Sequence, residues 1–376
     1  MSKFYVELKK VVDDSYDIEV GQNLFATLVN DLKGGLGEGI NQYAIITDSN
    51  VKELYGDSLL EQMKAEGFKV DLISFPAGET SKVRRTKEMI EDEMLAKGHR
   101  RDSCIIALGG GVVTDLAGFV AGTFGRGIPF INYSTSILGA ADASVGGKTA
   151  VDTPLATNLI GLIYQPKKVY IDLATWTTLP KEQISNGLAE TIKHACMADE
   201  TFFSFLEENI DKLLEEDGIN RHFDICEYIA ETNCKIKYEV VRKDERETNL
   251  RQILNLGHTV GRAIETLSNY TLLHGEAVAI GMAMQVKIGE KLGYISKDEV
   301  ARVIRLHQKA GLPTQLPEEM GTEEVVQKLY TDKKVRKGKI RFVFQDGIGK
   351  VKCYEDGNYS IALEEDFIRK TISEVR

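Results

Sequence analysis

Three side chains of this sequence could meet around a metal ion: Glu190, His258 and His274. His258 closes the run NLGH at 255–258, and His274 opens HGE at 274–276. Both histidines therefore sit in glycine-flanked turns, where a ring can point into a cleft. Glu190 lies on the amphipathic stretch 184–193, three residues from Lys193 and on the same helix face. Two imidazoles and one carboxylate make an open zinc site that leaves a position for a substrate oxygen. On spacing alone a pair of ordinary histidines is the better reading, because H-E-x-x-H is absent. His99, His194, His222 and His307 have no comparable context and read as surface or core residues.

A second group of residues could hold a nucleotide. Gly109, Gly110 and Gly111 follow an apolar strand and open a helix, where backbone N–H groups and the helix terminus favour phosphate. The run is not G-x-G-x-x-G, so a plain tight turn competes with a nucleotide site. The glycine-rich stretch 34–39 follows a helix and reads as a flexible loop. GGKT at 146–149 lacks the first glycine of a P-loop, Asp142 standing in its place, and is rejected as one. Asp48 and Asn50 lie just past a strand. Asp48 can accept from a ribose or cap the following helix, and the two roles are compatible. Basic residues gather at Lys235, Lys237, Arg242, Arg246, Arg251 and Arg262, and again at Lys333, Lys334, Arg336, Lys337 and Lys339; a solvated face accounts for most of them.

The elements that must position these residues follow a change of rhythm. Strands are predicted at 43–47, 70–75, 103–108 and 129–133, with helices at 51–67, 81–97 (Ser81 as N-cap) and 112–124. The nearly unbroken apolar run 103–108 suits a parallel strand covered on both faces. After about Pro180 the pattern is helical: 182–197, 200–214, 224–241, 259–267 and 276–292, with a strand only at 340–344. The fold expected is α/β: a Rossmann-like parallel-sheet domain over 1–180, a mostly helical domain over 181–376, and an active site in the cleft between them.

The chain has 376 residues, enough for two domains or one large divided one, and 47 Lys plus Arg against 57 Asp plus Glu give a net charge of −10. That balance argues against nucleic-acid and anionic-membrane partners, and requires a local basic pocket if the substrate is anionic. Five scattered cysteines without C-x-x-C fit a reducing cytosol rather than disulfides. The first ten residues lack the apolar run of a signal peptide, and no stretch of about 20 apolar residues could span a membrane.

Taken together, the ordered motifs PAGETSK (76–82), GGGVVTDLAGF (109–119), DASVGGKT (142–149), YQP (164–166), NGLAETIK (186–193), DERE (244–247), NLGH (255–258) and LHGEAVAIGM (273–282) resemble the 3-dehydroquinate synthase family of sugar-phosphate cyclases. The resemblance covers roughly 43–345. It implies an NAD- and metal-dependent, cyclising phosphate lyase of the shikimate route to aromatic amino acids. Such an enzyme converts 3-deoxy-D-arabino-heptulosonate 7-phosphate to 3-dehydroquinate and phosphate by transient oxidation, with no net redox change.

Carried onto this sequence, the resemblance makes Glu190, His258 and His274 the ligands of zinc, with cobalt as a substitute. It makes Asp48, Asn50, Glu79, Lys82, Gly110, Gly111, Val112, Asp115, Thr135, Ser136, Lys148, Thr157 and Thr178 cofactor contacts. Asp142, Lys148, Asn158, Lys193, Lys237, Arg251, Asn255, Arg262 and Lys333 become the substrate shell. Lys148, Asn255, Arg262 and Lys333 would take phosphate; Lys237 and Arg251 would take carboxylate. Arg126 resembles an arginine that reaches the neighbouring subunit's phosphate, which implies a homodimer; the expected location, from the cysteines, is cytoplasmic.

Several positions depart from the family pattern. Arg262 replaces a histidine, Thr157 a lysine and Thr114 a glycine, and 134–142 replaces a proline-threonine-threonine run. The alternatives are a sister cyclase using sedoheptulose 7-phosphate or glucose 6-phosphate, a metal alcohol dehydrogenase resembling glycerol dehydrogenase, and a non-catalytic binder of NAD or a partner. Lys237 and Arg251 favour the keto acid over the sister substrates, which lack a carboxylate. The C-terminal segment 356–376 suggests no chemistry.

Overall fold

The structure, a computed structural model, describes residues 3–330 and 340–374. Six strands form one parallel sheet: β1 (Asp17–Gly21), β2 (Gln42–Asp48), β3 (Val70–Phe75), β4 (Ser103–Gly109), β5 (Phe130–Ser134) and β8 (Lys168–Asp172), in the order β1-β8-β5-β4-β2-β3. The alternation inside β4 explains its unbroken apolar run. Ile105 and Ala107 pack with Val113, Leu116 and Val120 of the Gly111–Thr123 helix and with Ile90 and Met94 of the Arg84–Ala96 helix. Cys104, Ile106 and Leu108 pack on the opposite face with Leu28, Leu59 and Met63. Each face of the strand buries its own row, as helices on both sides of a parallel sheet require.

The sheet is complete at Asp172, and the long helix Lys181–Ala198 begins the helical part of the chain. Hydrophobic packing runs across this point: Val169, Ile171 and Trp176 share one cluster with Leu188, Ile192, Ile229 and Met282. The helices Glu200–Asn209, Phe223–Lys243, His258–Leu267 and His274–Lys291 follow close to the expected bounds. Among the described residues, no helix is long and apolar enough to cross a membrane.

Three expectations need correction. The helix at 81–97 starts at Arg84 with Val83 at its N-cap, because Val83 bridges to Asp152 and holds extended backbone; Ser81 sits in a single 3-10 turn, Glu79–Ser81. The helix at 51–67 is interrupted by a π-turn over Lys52–Gly56. The strand at 340–344 shortens to β9 (Arg341–Phe342), paired antiparallel with β10 (Ile361–Ala362). Five of the described strands had no sequence signal: the edge strand β1, the short β8 and β10, and an antiparallel hairpin of β6 (Lys148–Thr153) and β7 (Ala156–Ile163). Lys148 thus opens a strand, which agrees with rejecting a P-loop. The Gly34–Gly39 stretch is an ordered turn between the Phe25–Asp31 helix and β2.

Candidate active site

Glu190 lies within the Lys181–Ala198 helix, and His258 and His274 are each the first residue of a helix. Two glycines allow those helix starts to meet. Gly257 has φ +76°, which turns the chain into the His258 helix, and its N–H donates to Gln285 Oε1 at 3.0 Å. Gly275 lies so close to the Lys181–Ala198 helix that a Cβ there would come within 2.1 Å of the Asn186 carbonyl oxygen. Its N–H donates to Asn186 Oδ1 at 2.6 Å.

His258 Nε2 then stands 3.3 Å, and His274 Nε2 3.5 Å, from Glu190 Oε1. One ligand atom from each of the three residues lies within 4.8 Å of the others. Glu190 is fully buried; its Oε2 accepts from Lys193, while Oε1 has no hydrogen-bond partner. An orphaned buried carboxylate oxygen facing two imidazole nitrogens fits a divalent cation. Burial alone would raise the Glu190 pKa, but Lys193 and His258 hold it well below the usual carboxylate range. Burial pushes His258 down. His274 is exposed to the same burial, yet Glu265 and Glu190 raise it to about 10.

Beside this triad opens a cavity of about 580 Å³. It is lined by Asp142, Lys148, Asn158, Lys193, Lys237, Arg251, Asn255 and Arg262, all expected substrate residues, and also by Asp115 and His258. Its lysines are paired internally, and Arg251 is held by backbone carbonyls. Lys148 meets Glu247, whose other oxygen accepts from Asn255 Nδ2 at 2.5 Å. Lys237 meets Asp142 Oδ1 at 2.7 Å. Arg251 donates Nη2 to the Gly146 carbonyl at 2.8 Å and Nη1 to that of Glu245, which leaves its buried Nε without a partner. Asp142 is held well below its ordinary pKa: burial would raise it, but Lys237 and Lys193 outweigh that. Arg126 lies elsewhere, exposed on the Phe124–Arg126 turn. Lys333 and the basic run around it fall outside the described residues.

Most of the expected cofactor contacts lie beyond the carboxyl ends of the parallel strands, where open α/β folds bind ligands, while Lys148 and Thr157 lie on the β6–β7 hairpin. Asp48 ends β2 and caps the next turn, accepting from the N–H groups of Asn50 and Val51 at 2.9 and 3.0 Å. Gly110 and Gly111 open the helix after β4, with Val112 next and Ser136 packed against Gly110. Thr135 and Ser136 follow β5, and Thr178 bonds Tyr55 at 2.7 Å beyond β8. Past β3, Lys82 is buried against Asp115 at 2.6 Å and Glu79 at 3.5 Å. Thr157, in the hairpin, bonds Tyr270 at 3.2 Å.

Three polar residues of this region had no assigned role in the sequence reading. Glu247 holds both Lys148 and Asn255; its only signal was its place in the DERE run. Glu265 accepts from His274 Nδ1 at 3.1 Å. His194, read as surface or core, is fully buried, its Nδ1 beside Asn233 Oδ1 at 3.0 Å, and it groups with Asp142 and Glu190.

A parallel sheet followed by a helical half that carries such a triad is the architecture of the sugar-phosphate cyclases. It matches the solved 2-epi-5-epi-valiolone synthase ValA of Streptomyces hygroscopicus, determined with NAD+ and Zn2+ bound, at TM-score 0.86 and 27% identity over 99% of both chains. Residues 72–186 match the family described as 3-dehydroquinate synthase N-terminal, and 187–335 the one described as 3-dehydroquinate synthase C-terminal. The chain is 45% identical to the 3-dehydroquinate synthase of Desulforamulus reducens over 313 residues, 83% of this chain and 86% of that one. It is 44% identical to that of Pelobacter propionicus over 339 residues, 90% and 92% of the two. The chain belongs to the 3-dehydroquinate synthase family and is an enzyme of its cyclising lyase type.

Proposed function

We propose that this chain converts 3-deoxy-D-arabino-heptulosonate 7-phosphate to 3-dehydroquinate and phosphate. In this reading NAD+ lies along the sheet edge and a divalent cation, zinc or cobalt, lies between Glu190, His258 and His274. The observation that carries the substrate assignment is the pair of cationic groups in one cavity beside the triad. Lys237 and Arg251 suit a carboxylate, and Lys148, Asn255 and Arg262 suit a phosphate. A sugar phosphate without a carboxylate would leave the first group with no anion to bind.

The residues present fit both groups. Buried Glu190 Oε1 and two Nε2 atoms offer three ligands and room for substrate oxygen; the cation would lower the pKa of the hydroxyl to be oxidised. NAD+ would supply reversible hydride acceptance, so that the cycle ends with no net redox change. The chain's own residues bind and orient. Arg251, braced by two backbone carbonyls, keeps its guanidinium fixed for a planar anion. Lys148 exchanges Glu247 for the phosphate, and Asn255 keeps Glu247 nearby as a carboxylate able to take up a proton. Lys193 holds the orientation of Glu190.

Arg126 is exposed and does not line its own cavity, which supports a role at the phosphate of a second copy and a homodimer as the working unit. Five free thiols support a reducing, cytoplasmic setting.

The test is one incubation of protein, NAD+ and Zn2+ with the keto acid phosphate, following phosphate and carbocycle together. Equal amounts of both without NADH accumulation are expected. Turnover of sedoheptulose 7-phosphate with none of the keto acid would select the sister cyclase, and stoichiometric NADH from a simple polyol would select a dehydrogenase.

A further inference from the structure

The two histidines of the triad are fixed by different acceptors. His258 Nδ1 lies 3.1 Å from the Leu256 carbonyl, a neutral group of its own turn. His274 Nδ1 lies 3.1 Å from Glu265 Oε1, a carboxylate two helical turns beyond His258 on the same helix. Glu265 is itself buried, and among the described residues its one ion-pair partner is His274. Burying a carboxylate costs free energy unless a partner offsets it, and this one meets only the back of a ring whose front faces Glu190.

We propose that Glu265 is a positioning residue for the metal, a reading that rests on the triad proposed above. An ionised carboxylate only accepts, so His274 must carry its hydrogen on Nδ1 and turn the Nε2 lone pair toward Glu190 and His258. The negative charge also makes His274 the stronger donor of the two rings. Glu265→Gln keeps the shape but lowers the charge and can present an amide N–H, which favours the opposite tautomer with hydrogen on Nε2.

The experiment is a Zn2+ titration of metal-free protein against a chromophoric chelator, with the Co2+ visible spectrum as a second readout. Wild type should bind one ion. Glu265→Gln should lower affinity about 10–100-fold and shift the Co2+ bands, and Glu265→Asp should fall between. In a His274→Ala background Glu265→Gln should have no further effect, which a general structural role would not give. Thermal midpoints of the metal-free proteins check folding; if Glu265→Gln does not fold, Glu265→Asp alone carries the comparison. Wild-type affinity and spectrum in the Glu265 variants would overturn the proposal. Absence of binding by wild type, or full binding by His258→Ala, would instead overturn the triad.

Discussion

In the function proposed above, the sheet edge and the cavity would meet the same demand, binding an anionic ligand in an acidic protein, by different means. The edge relies largely on backbone: a glycine turn after β4, capping hydrogen bonds at Asp48, and one buried cluster of Lys82 with Asp115 and Glu79. The cavity relies on side-chain charge, with Lys148, Lys193 and Lys237 each paired to a carboxylate of the chain. Backbone donors need no partner before the ligand arrives. Buried ammonium groups do, since an unpaired buried charge is costly. On the proposed assignment, the cavity's lysines would bind by exchange, substrate anions taking over ammonium groups already paired, while the glycine turn at the edge would bind by addition.

Substitutions should separate the two regions. Glu190→Gln or His258→Ala should lower turnover about 10³-fold, the several kcal/mol that a metal supplies to a developing alkoxide. NAD+ affinity, measured by fluorescence, should hardly move; a parallel loss of cofactor binding would merge the two regions into one. Arg251→Ala should lower kcat/KM for the keto acid by about 2–5 kcal/mol, because a buried carboxylate loses its partner. An unchanged kcat/KM would remove the carboxylate assignment.

Acid should also act on the helical half. His307 and His194 are buried there, each with Nε2 unpartnered, and burial lowers both pKa values to about 4. In the unfolded chain a histidine titrates near 6.5. The unfolded state therefore binds more protons between those values. Stability present above about pH 6.5 is lost as pH falls toward 4, by up to about 3 kcal/mol for His307. Hydrogen exchange at pH 5 should show the Lys297–Lys309 helix opening before the sheet, and His307→Leu should blunt the effect. The smallest effect concerns the edge. Thr157→Lys should tighten NAD+ by a few-fold, within about 1 kcal/mol for a partly exposed ion pair; weaker binding would place Thr157 away from the cofactor.

What the sequence disclosed followed from local signals. The triad was only hinted at by its glycine-flanked histidines and a carboxylate sharing a helix face with Lys193, a pattern that favours ordinary histidines on spacing alone; the resemblance of the ordered motifs singled it out. The apolar run of β4 announced a parallel strand because both its faces are covered. Glu247 and Glu265 were not legible. The first stands in a mixed charged run, DERE, with no partner visible in the sequence, and the second is one acid among the residues of an amphipathic helix. Their roles arise from Lys148 and His274, which only the fold brings near. The β6–β7 hairpin was lost for a related reason: one side lines a polar cavity, so its residues do not alternate as a strand over a core does.

The central claim is that Glu190, His258 and His274 bind one cation beside the cavity. Anomalous diffraction from crystals grown with Zn2+ tests it most directly. A single strong peak is expected at about 2.0–2.2 Å from Glu190 Oε1 and both Nε2 atoms, with Glu190→Gln crystals lacking it. A peak held by other residues, or its persistence undiminished in Glu190→Gln, would contradict the account.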